Sequence, residues 1–297
     1  MTFPVIDAHQ HVWDPARAEY AWLGPELAPI NTAMSFEGVA PELQACGVGY
    51  TVQVQSADNA QDTALMRASA AAHPEVVGVV GYAPLDDAAA AEATLNSWAD
   101  DSLMVGVRIL IHNKPDPDWL LRSDVADGLA MLQERNLTFD VVAELPRHLE
   151  IVPILAERFP DLRMVIDHLG KPPVGLDGSE PWHTLIAEAA ACPNVYGKVS
   201  GLYSATGELS SWTTDTIRPS FERAVEVFGA RRLMYGGDWP VSILAGGYTR
   251  VWNGLKPLFD SVSEQEREWM LGRTAAHFYR LDPQRFAAGQ DATKENR

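Results

Sequence analysis

Polar and ionisable side chains end several separate apolar runs of this sequence, at the points where strands would end. The clearest case is Val-Ile-Asp-Ala-His-Gln-His at residues 5–11, which places His9 and His11 two positions apart. Because alternate residues of a strand point to the same side, both imidazoles would face one way. Two such rings can bind a metal, polarise a carbonyl group or remain ordinary polar side chains.

Four further apolar runs end in groups that could take part in chemistry. These groups are Arg108 with His112, Asp167 with His168, Lys198, and Asp238. Each has a structural alternative: a histidine can simply be hydrogen-bonded, Arg108 can form an ion pair, and Lys198 can lie on a solvated edge. Gly-Asp-Trp-Pro at 237–240 can be a turn in which Asp238 caps a backbone amide. Glu144 follows another apolar run, and its role is left open.

The elements that would position these groups are read from short apolar runs rich in Val and Ile, which are typical of strands buried on both faces. These runs cover residues 5–9, 50–55, 76–82, 104–111, 137–142, 163–167, 194–199 and 233–237. Amphipathic patterns typical of helices lie at 62–72, 89–98, 125–135, 149–159, 182–191, 217–228 and 263–271. This alternation predicts a parallel sheet and favours a single α/β domain, a (β/α)8 barrel of the TIM type. The strand ends would then meet at one mouth, where barrel enzymes carry their active sites.

The domain organisation follows from the same patterns. The barrel is expected to cover residues 1–282, and a polar, frayed tail is expected at 283–297. Prolines and weak periodicity predict an elaborated loop after the first strand, at 15–41, and another loop at 171–181. The first strand is not followed by Gly-x-Gly-x-x-Gly, which argues against a dinucleotide-binding fold.

The charge balance limits the classes of partner. The chain has 40 acidic and 23 basic residues, a net charge of −17, which disfavours nucleic acid and anionic membranes as partners. No apolar run is long enough to predict a membrane span, and the amino terminus lacks the pattern of a signal peptide. We therefore expect a cytoplasmic enzyme for a small molecule, with association into a homo-oligomer left open.

Four stretches of the chain carry a recognisable pattern. They are Ile-Asp-Ala-His-Gln-His-Val-Trp-Asp-Pro at 6–15, Val-Ile-Asp-His-Leu-Gly-Lys-Pro at 165–172, Gly-Lys-Val-Ser-Gly-Leu at 197–202 and Tyr-Gly-Gly-Asp-Trp-Pro-Val at 235–241. In this order they resemble the amidohydrolase superfamily (amidohydrolase-related family 2). Within it they resemble the branch of sugar-lactone hydrolases such as L-fuconolactonase and L-rhamnonolactonase. The resemblance spans nearly the whole chain.

The chain departs from the metal-dependent members of that superfamily, which usually carry a bridging lysine on strand 4 and a liganding histidine on strand 5. Here strand 4 offers Arg108 and His112, whereas strand 5 offers Asp140 and Glu144. Two bridged ions are therefore not expected. A single divalent ion is the alternative, and zinc suits nitrogen and carboxylate ligands best. Its ligands would be His9, His11, His168 and Asp238, and whether catalysis requires the ion is left open.

The resemblance implies hydrolysis of a sugar-acid lactone by water attack at the ring carbonyl. Asp238 would accept the proton as general base, and the histidines of the ion site would polarise the carbonyl directly or through the ion. The groups expected to bind substrate are Arg108, Lys198, His112, Trp13 and Trp239. Two alternatives are a metal-dependent decarboxylase of a small unsaturated or aromatic acid, and a catalytically silent barrel that binds sugar acids.

Overall fold

Eight parallel strands follow one another around a barrel in the computed structural model of this chain, which describes residues 3–175, 180–205, 209 and 211–286. Each strand is hydrogen-bonded to the next in parallel register. The strands are β1 (Val5–Gln10), β2 (Val48–Val54), β3 (Val76–Gly81), β4 (Met104–Ile109), β5 (Thr138–Val141), β6 (Met164–Ile166), β7 (Val195–Val199) and β8 (Leu233–Tyr235). A parallel bridge between Gln10 and Trp239 joins the first strand to the segment after the last. The predicted (β/α)8 barrel is confirmed.

Helices alternate with the strands as the sequence predicts. They are α1 (Phe36–Cys46), α2 (Ala60–Ala72), α3 (Ala88–Asn96), α4 (Ser123–Glu134), α5 (Pro146–Arg158), α6 (Trp182–Ala190), α7 (Thr214–Phe228), α8 (Tyr248–Phe259), α9 (Glu264–Glu268) and α10 (Thr274–Phe278). The first eight each follow the strand of the same number. A π-helical turn, Trp269–Arg273, connects α9 to α10. No helix in the described ranges is long and apolar enough to cross a membrane.

The structure corrects several predicted boundaries. The loop predicted over 15–41 ends earlier, because α1 begins at Phe36 and contains Pro41 within the helix. Proline removes one backbone hydrogen bond, but tertiary packing of an apolar face supplies most helical stability. The strand predicted over 104–111 ends at Ile109, so His112 lies in the following 3-10 turn instead of on the strand.

Apolar side chains fill two regions of the barrel. One set, which includes Val79, Val107 and Val199, packs the strands against the surrounding helices. The other includes Ile6 and Val105 and is closed off by residues of α10. These two apolar regions leave the carboxyl ends of the strands available to polar groups.

The first four residues of the predicted tail, 283–286, form a helical turn, whereas 287–297 lie outside the described residues.

Candidate active site

The backbone that closes the barrel also positions the central side chains of the site. The amide of His11 donates to the carbonyl of Trp239 at 2.7 Å, and the amide of Asp238 donates to the carbonyl of His9 at 2.8 Å. These bonds flank the bridge between Gln10 and Trp239. Residues far apart in sequence are therefore held together at the seam between β1 and β8, as the barrel prediction requires.

Asp238 lies at the centre of this arrangement and is 3% exposed. One carboxylate oxygen, Oδ2, accepts a hydrogen bond from the Tyr203 hydroxyl at 2.7 Å. The other, Oδ1, lies 3.4 Å from His11 Nε2 and 3.8 Å from His9 Nε2. Burial alone would raise the pKa of this carboxyl, but His168 and the hydrogen bond from His11 hold it below its ordinary value. Asp238 is therefore ionised at neutral pH, with Oδ1 directed at the histidines.

His168 begins a turn of left-handed backbone. Its φ is 54°, and those of Leu169, Gly170 and Lys171 are 52°, 70° and 51°. A non-glycine residue in this region is strained by roughly 1–2 kcal/mol, and such strain collects at functional sites. The ring is held through Nδ1, which is hydrogen-bonded to the Ser200 hydroxyl at 2.9 Å. Burial lowers the pKa of His168 and favours its neutral form.

His9 lies deeper in the barrel, between two cations. Its Nε2 is 3.0 Å from Arg108 Nη1, and its Nδ1 is 3.0 Å from Lys198 Nζ and 3.4 Å from Asp167 Oδ1. Burial, reinforced by Lys198, lowers the pKa of His9 far below its usual range. A neutral imidazole has one acceptor nitrogen, and both cations can only donate. We assign the proton to Nδ1, where Asp167 can accept it, and the lone pair to Nε2.

Lys198 lies beneath His9 and is completely buried. Its ammonium group contacts Asp140 Oδ2 at 2.5 Å and Asp167 Oδ1 at 3.0 Å. Asp140 also accepts a hydrogen bond from the Tyr279 hydroxyl at 2.9 Å. The structure therefore places the Lys198 side chain among buried carboxylates, outside the lining of the cavity, and its contact with substrate stays a prediction.

The residues of the predicted ion site fit a metal in type and spacing. His9, His168 and Asp238 each offer one ligand atom, and these atoms lie within 4.8 Å of one another. Two neutral imidazoles and an ionised carboxylate are a donor set that suits zinc. The fourth predicted ligand, His11, lies beside this group, with its Nδ1 directed at the Val54 carbonyl at 2.6 Å. An ion on His9 Nε2 would use the lone pair that now faces Arg108.

A cavity of about 180 Å³ opens above these groups. Its lining residues are His11, Trp22, Ser56, Arg108, Leu110, His112, Val142, Glu144, His168, Lys171, Asp238 and Val241. Two of the predicted substrate contacts, Arg108 and His112, lie on its wall, and burial lowers the pKa of His112 to about 4. Its imidazole is therefore neutral near pH 7 and can offer both a donor and an acceptor.

The two tryptophans predicted to face the sugar ring lie elsewhere. Trp13 is 1% exposed and Trp239 is 3% exposed, and neither lines the cavity. The Trp13 indole instead donates to the carbonyls of Ile30 and Thr32, each at 3.0 Å. Trp22 lines the cavity in their place. Sequence reasoning overlooked it because it lies in a long loop without periodicity, where nothing indicates the direction of a side chain.

Other residues of the site also escaped the sequence analysis. They are Lys171, which lines the cavity, and Tyr203, whose hydroxyl donates to Asp238. Asp167, which the sequence pairs with His168, and Asp140, which it places on strand 5, both lie buried around Lys198. Tyr203 follows the Gly-Lys-Val-Ser-Gly-Leu stretch by one position, but a tyrosine in a loop carries no comparable pattern.

Comparison with known proteins agrees with the fold and gives the family. A family model described as amidohydrolase matches residues 6–281, and the chain belongs to this family. An L-fucono-1,5-lactonase of Burkholderia ambifaria is 35% identical over 288 residues, which cover 95% of this chain and 97% of that protein. An L-fucono-1,5-lactonase of Burkholderia multivorans is 29% identical, with 93% of this chain and 96% of that protein covered. The resemblance that the sequence motifs indicate is confirmed.

A solved structure shares the whole barrel. It is an amidohydrolase from Burkholderia multivorans, crystallised with bound zinc, with a TM-score of 0.85 and 27% sequence identity. The alignment covers 94% of this chain and all of that one, 100%. The similarity in fold therefore extends over nearly the whole chain.

Proposed function

We propose that this chain is a lactonase that opens a sugar-acid lactone by attack of water on the ring carbonyl. The observation that carries the proposal is the buried, ionised Asp238 on the wall of a small cavity, surrounded by His9, His11 and His168. The names of the two curated relatives support the same reaction. We expect a freely diffusing substrate and a cytoplasmic enzyme.

Asp238 is proposed as the general base. Tyr203 occupies its Oδ2, which leaves Oδ1 to accept a proton from the attacking water. A carboxylate with a depressed pKa is a weak base, so it cannot supply most of the catalysis. Stabilisation of the developing oxyanion has to contribute more, as is common in acyl transfer.

Arg108 is proposed to supply part of that stabilisation. Its guanidinium group lines the cavity and is held from behind by Asp167 at 3.2 Å. Donors fixed in a buried site before reaction lose little free energy to reorganisation. His112 would orient the ring through its hydroxyl groups. A divalent ion held by His9, His168 and Asp238 would add Lewis-acid polarisation of the carbonyl when bound.

The proposed reaction balances without another reactant. The water oxygen bonds to the carbonyl carbon while its proton passes to Asp238. The tetrahedral intermediate then collapses, the bond from that carbon to the ring oxygen breaks, and the proton returns to the departing oxygen. The product is an open-chain hydroxy acid, which releases one proton to the solution at neutral pH.

Proton release from a panel of aldonolactones, followed with a pH indicator at neutral pH, tests this function. We expect at least one lactone to be opened far faster than its spontaneous hydrolysis. If no lactone releases protons and an aromatic acid releases carbon dioxide instead, the chain is a decarboxylase. Binding of a sugar acid without turnover of any lactone would identify a silent barrel.

A further inference from the structure

One wall of the cavity is built by three successive loops that follow β4, β5 and β6. These loops contribute His112, Glu144 and Lys171. The ammonium group of Lys171 forms an ion pair with the Glu144 carboxylate, and each of the two side chains is 31% exposed. The proposed reaction uses neither of them, although both lie beside His168 and Asp238 on the same cavity.

Lys171 is held in a left-handed backbone conformation, which residues other than glycine disfavour. Lys171 ends the left-handed turn that begins at His168, and both residues line the cavity. The turn is anchored by Leu169, whose side chain is buried and whose carbonyl accepts a hydrogen bond from the Trp182 indole at 2.7 Å. Strain of this kind persists only where the surroundings enforce it, and here it places Lys171 at the cavity.

Glu144 is held in place from the other side. The ring of His148 accepts hydrogen bonds through Nδ1 from the amides of Glu144 and Leu145, at 3.2 and 3.3 Å. Burial would raise the pKa of the Glu144 carboxyl, but the hydrogen bond from Lys171 holds it below its ordinary value. Glu144 is therefore charged at neutral pH, and its ion pair with Lys171 holds both side chains at the cavity.

The pair can form further hydrogen bonds. A carboxylate accepts through two oxygens and an ammonium group donates three hydrogens, so one mutual contact leaves capacity on each. A hydroxyl group can donate to the carboxylate and accept from the ammonium group. Because the two charges cancel, the pair does not attract an additional carboxylate, and Asp238 on the same cavity repels one.

We propose that Glu144 and Lys171 determine specificity by binding adjacent hydroxyl groups of an uncharged, polyhydroxylated lactone. This inference rests on the proposed lactonase function and assigns the ring substituents to a particular pair of residues. A site built to hydrogen-bond a hydroxyl group discriminates against an analogue that lacks it. The pair is partly exposed, so the discrimination should lie below the largest values known for buried sites.

The test compares two six-membered lactones in the full-length protein. One is the aldono-1,5-lactone that the wild-type protein opens fastest, and the other is unsubstituted δ-valerolactone. We expect Glu144→Gln and Lys171→Met to lower kcat/KM for the aldonolactone by roughly 10–100-fold more than for δ-valerolactone, mainly through KM. The matched controls are Lys256→Met and Asp260→Asn, which break an exposed ion pair on and just after α8. Both control variants should keep the wild-type ratio of kcat/KM between the two lactones.

Three results would overturn the inference in distinguishable ways. An equal fall for both lactones in folded variants, checked by circular dichroism, would show that the pair acts on the structure or the chemistry. A wild-type protein that opens both lactones equally well would remain a lactonase without this specificity. A wild-type protein that opens neither lactone would refute the proposed function, and the specificity proposal with it.

Discussion

At the scale of single residues, Asp238 carries the proposed chemistry, and Asp238→Asn tests it. The substitution keeps nearly the same shape but removes the negative charge and the proton acceptor. We expect kcat to fall by roughly 10²–10⁴, the range of general acid–base catalysis, with a smaller change in KM. Steady-state kinetics on the best lactone, with zinc content measured in parallel, gives the answer.

Asp260→Asn is the matched control for this change, because it makes the same substitution at an exposed carboxylate of an ion pair. It should retain wild-type turnover. Full lactonase turnover in a folded Asp238→Asn protein would reduce Asp238 to a turn residue, the alternative that the Gly-Asp-Trp-Pro stretch leaves open.

We expect Lys198 to contribute to the stability of the barrel, because its buried ammonium group pairs with two carboxylates. Lys198→Met leaves the carboxylates of Asp140 and Asp167 without the buried cation that they share. Removing one partner of a buried ion pair typically destabilises a protein by about 3–5 kcal/mol, and we expect a loss of that order in urea unfolding. Lys198→Met with Asp140→Asn should recover part of it.

The loss of stability in Lys198→Met should also depend on pH. Burial raises the pKa of Asp140 to about 6 even with Lys198 present. Because the pKa of Asp140 is higher in the folded state than in the unfolded state, its ionised form destabilises the fold at high pH. Protonation removes this cost as the pH falls. The deficit should therefore be smaller near about pH 5 than near about pH 8. A deficit independent of pH would show that packing alone is responsible.

At the scale of elements, the strands could be predicted from sequence because both of their faces are buried and their apolar runs are continuous. Strand ends were less predictable. The strand β4 ends before His112, which lies in a 3-10 turn, and local propensity does not distinguish a strand from such a turn here. The helix α8 shows the apolar spacing of Tyr248, Val251 and Trp252, yet the predicted helices did not include it. Loop side chains such as Trp22 and Lys171 depend on tertiary contacts that no local pattern encodes.

The start of α2 connects helix stability to the cavity. The Asn59 side chain caps the helix by accepting from the Asp62 amide at 2.9 Å, and its amide group donates to the Glu19 carbonyl at 2.8 Å. The second bond holds the loop that carries Trp22. Asn59→Ala should therefore lower the free energy of unfolding by about 1 kcal/mol and also raise KM for the lactone.

Ser263→Ala is the control for Asn59→Ala, since Ser263 caps α9 by accepting from the Glu266 amide. It should lower stability by a similar amount and leave KM as in the wild-type protein. Urea unfolding and initial rates on both variants separate the two effects. If Asn59→Ala had the same KM as the wild-type protein, the bond from Asn59 to Glu19 would not position the cavity loop.

At the scale of the whole molecule, the site exists only when the barrel closes. His9 and Asp238 come from opposite ends of the chain, and the Asp7 carboxylate adds to the seam by accepting from the amides of His9 and Gly237 at 3.0 and 2.8 Å. The alternation of strands and helices made this meeting predictable, because a barrel brings the carboxyl ends of its strands to one mouth. The buried layer of Asp140, Asp167 and Lys198 was not, since sequence shows only isolated polar residues within apolar strands.

An ion on His9, His168 and Asp238 would connect β1, β6 and β8, so it should stabilise the entire barrel. A ligand that binds only the folded state at about 100 times its Kd contributes about 2.7 kcal/mol. For a domain of this size that corresponds to a rise in Tm of roughly 5 °C. We expect zinc to produce such a rise by scanning calorimetry, EDTA to reverse it and Asp238→Asn to abolish it. Elemental analysis should give no more than one ion per chain, because strands 4 and 5 supply no second set of ligands; two bound ions would show that the single-ion assignment is wrong.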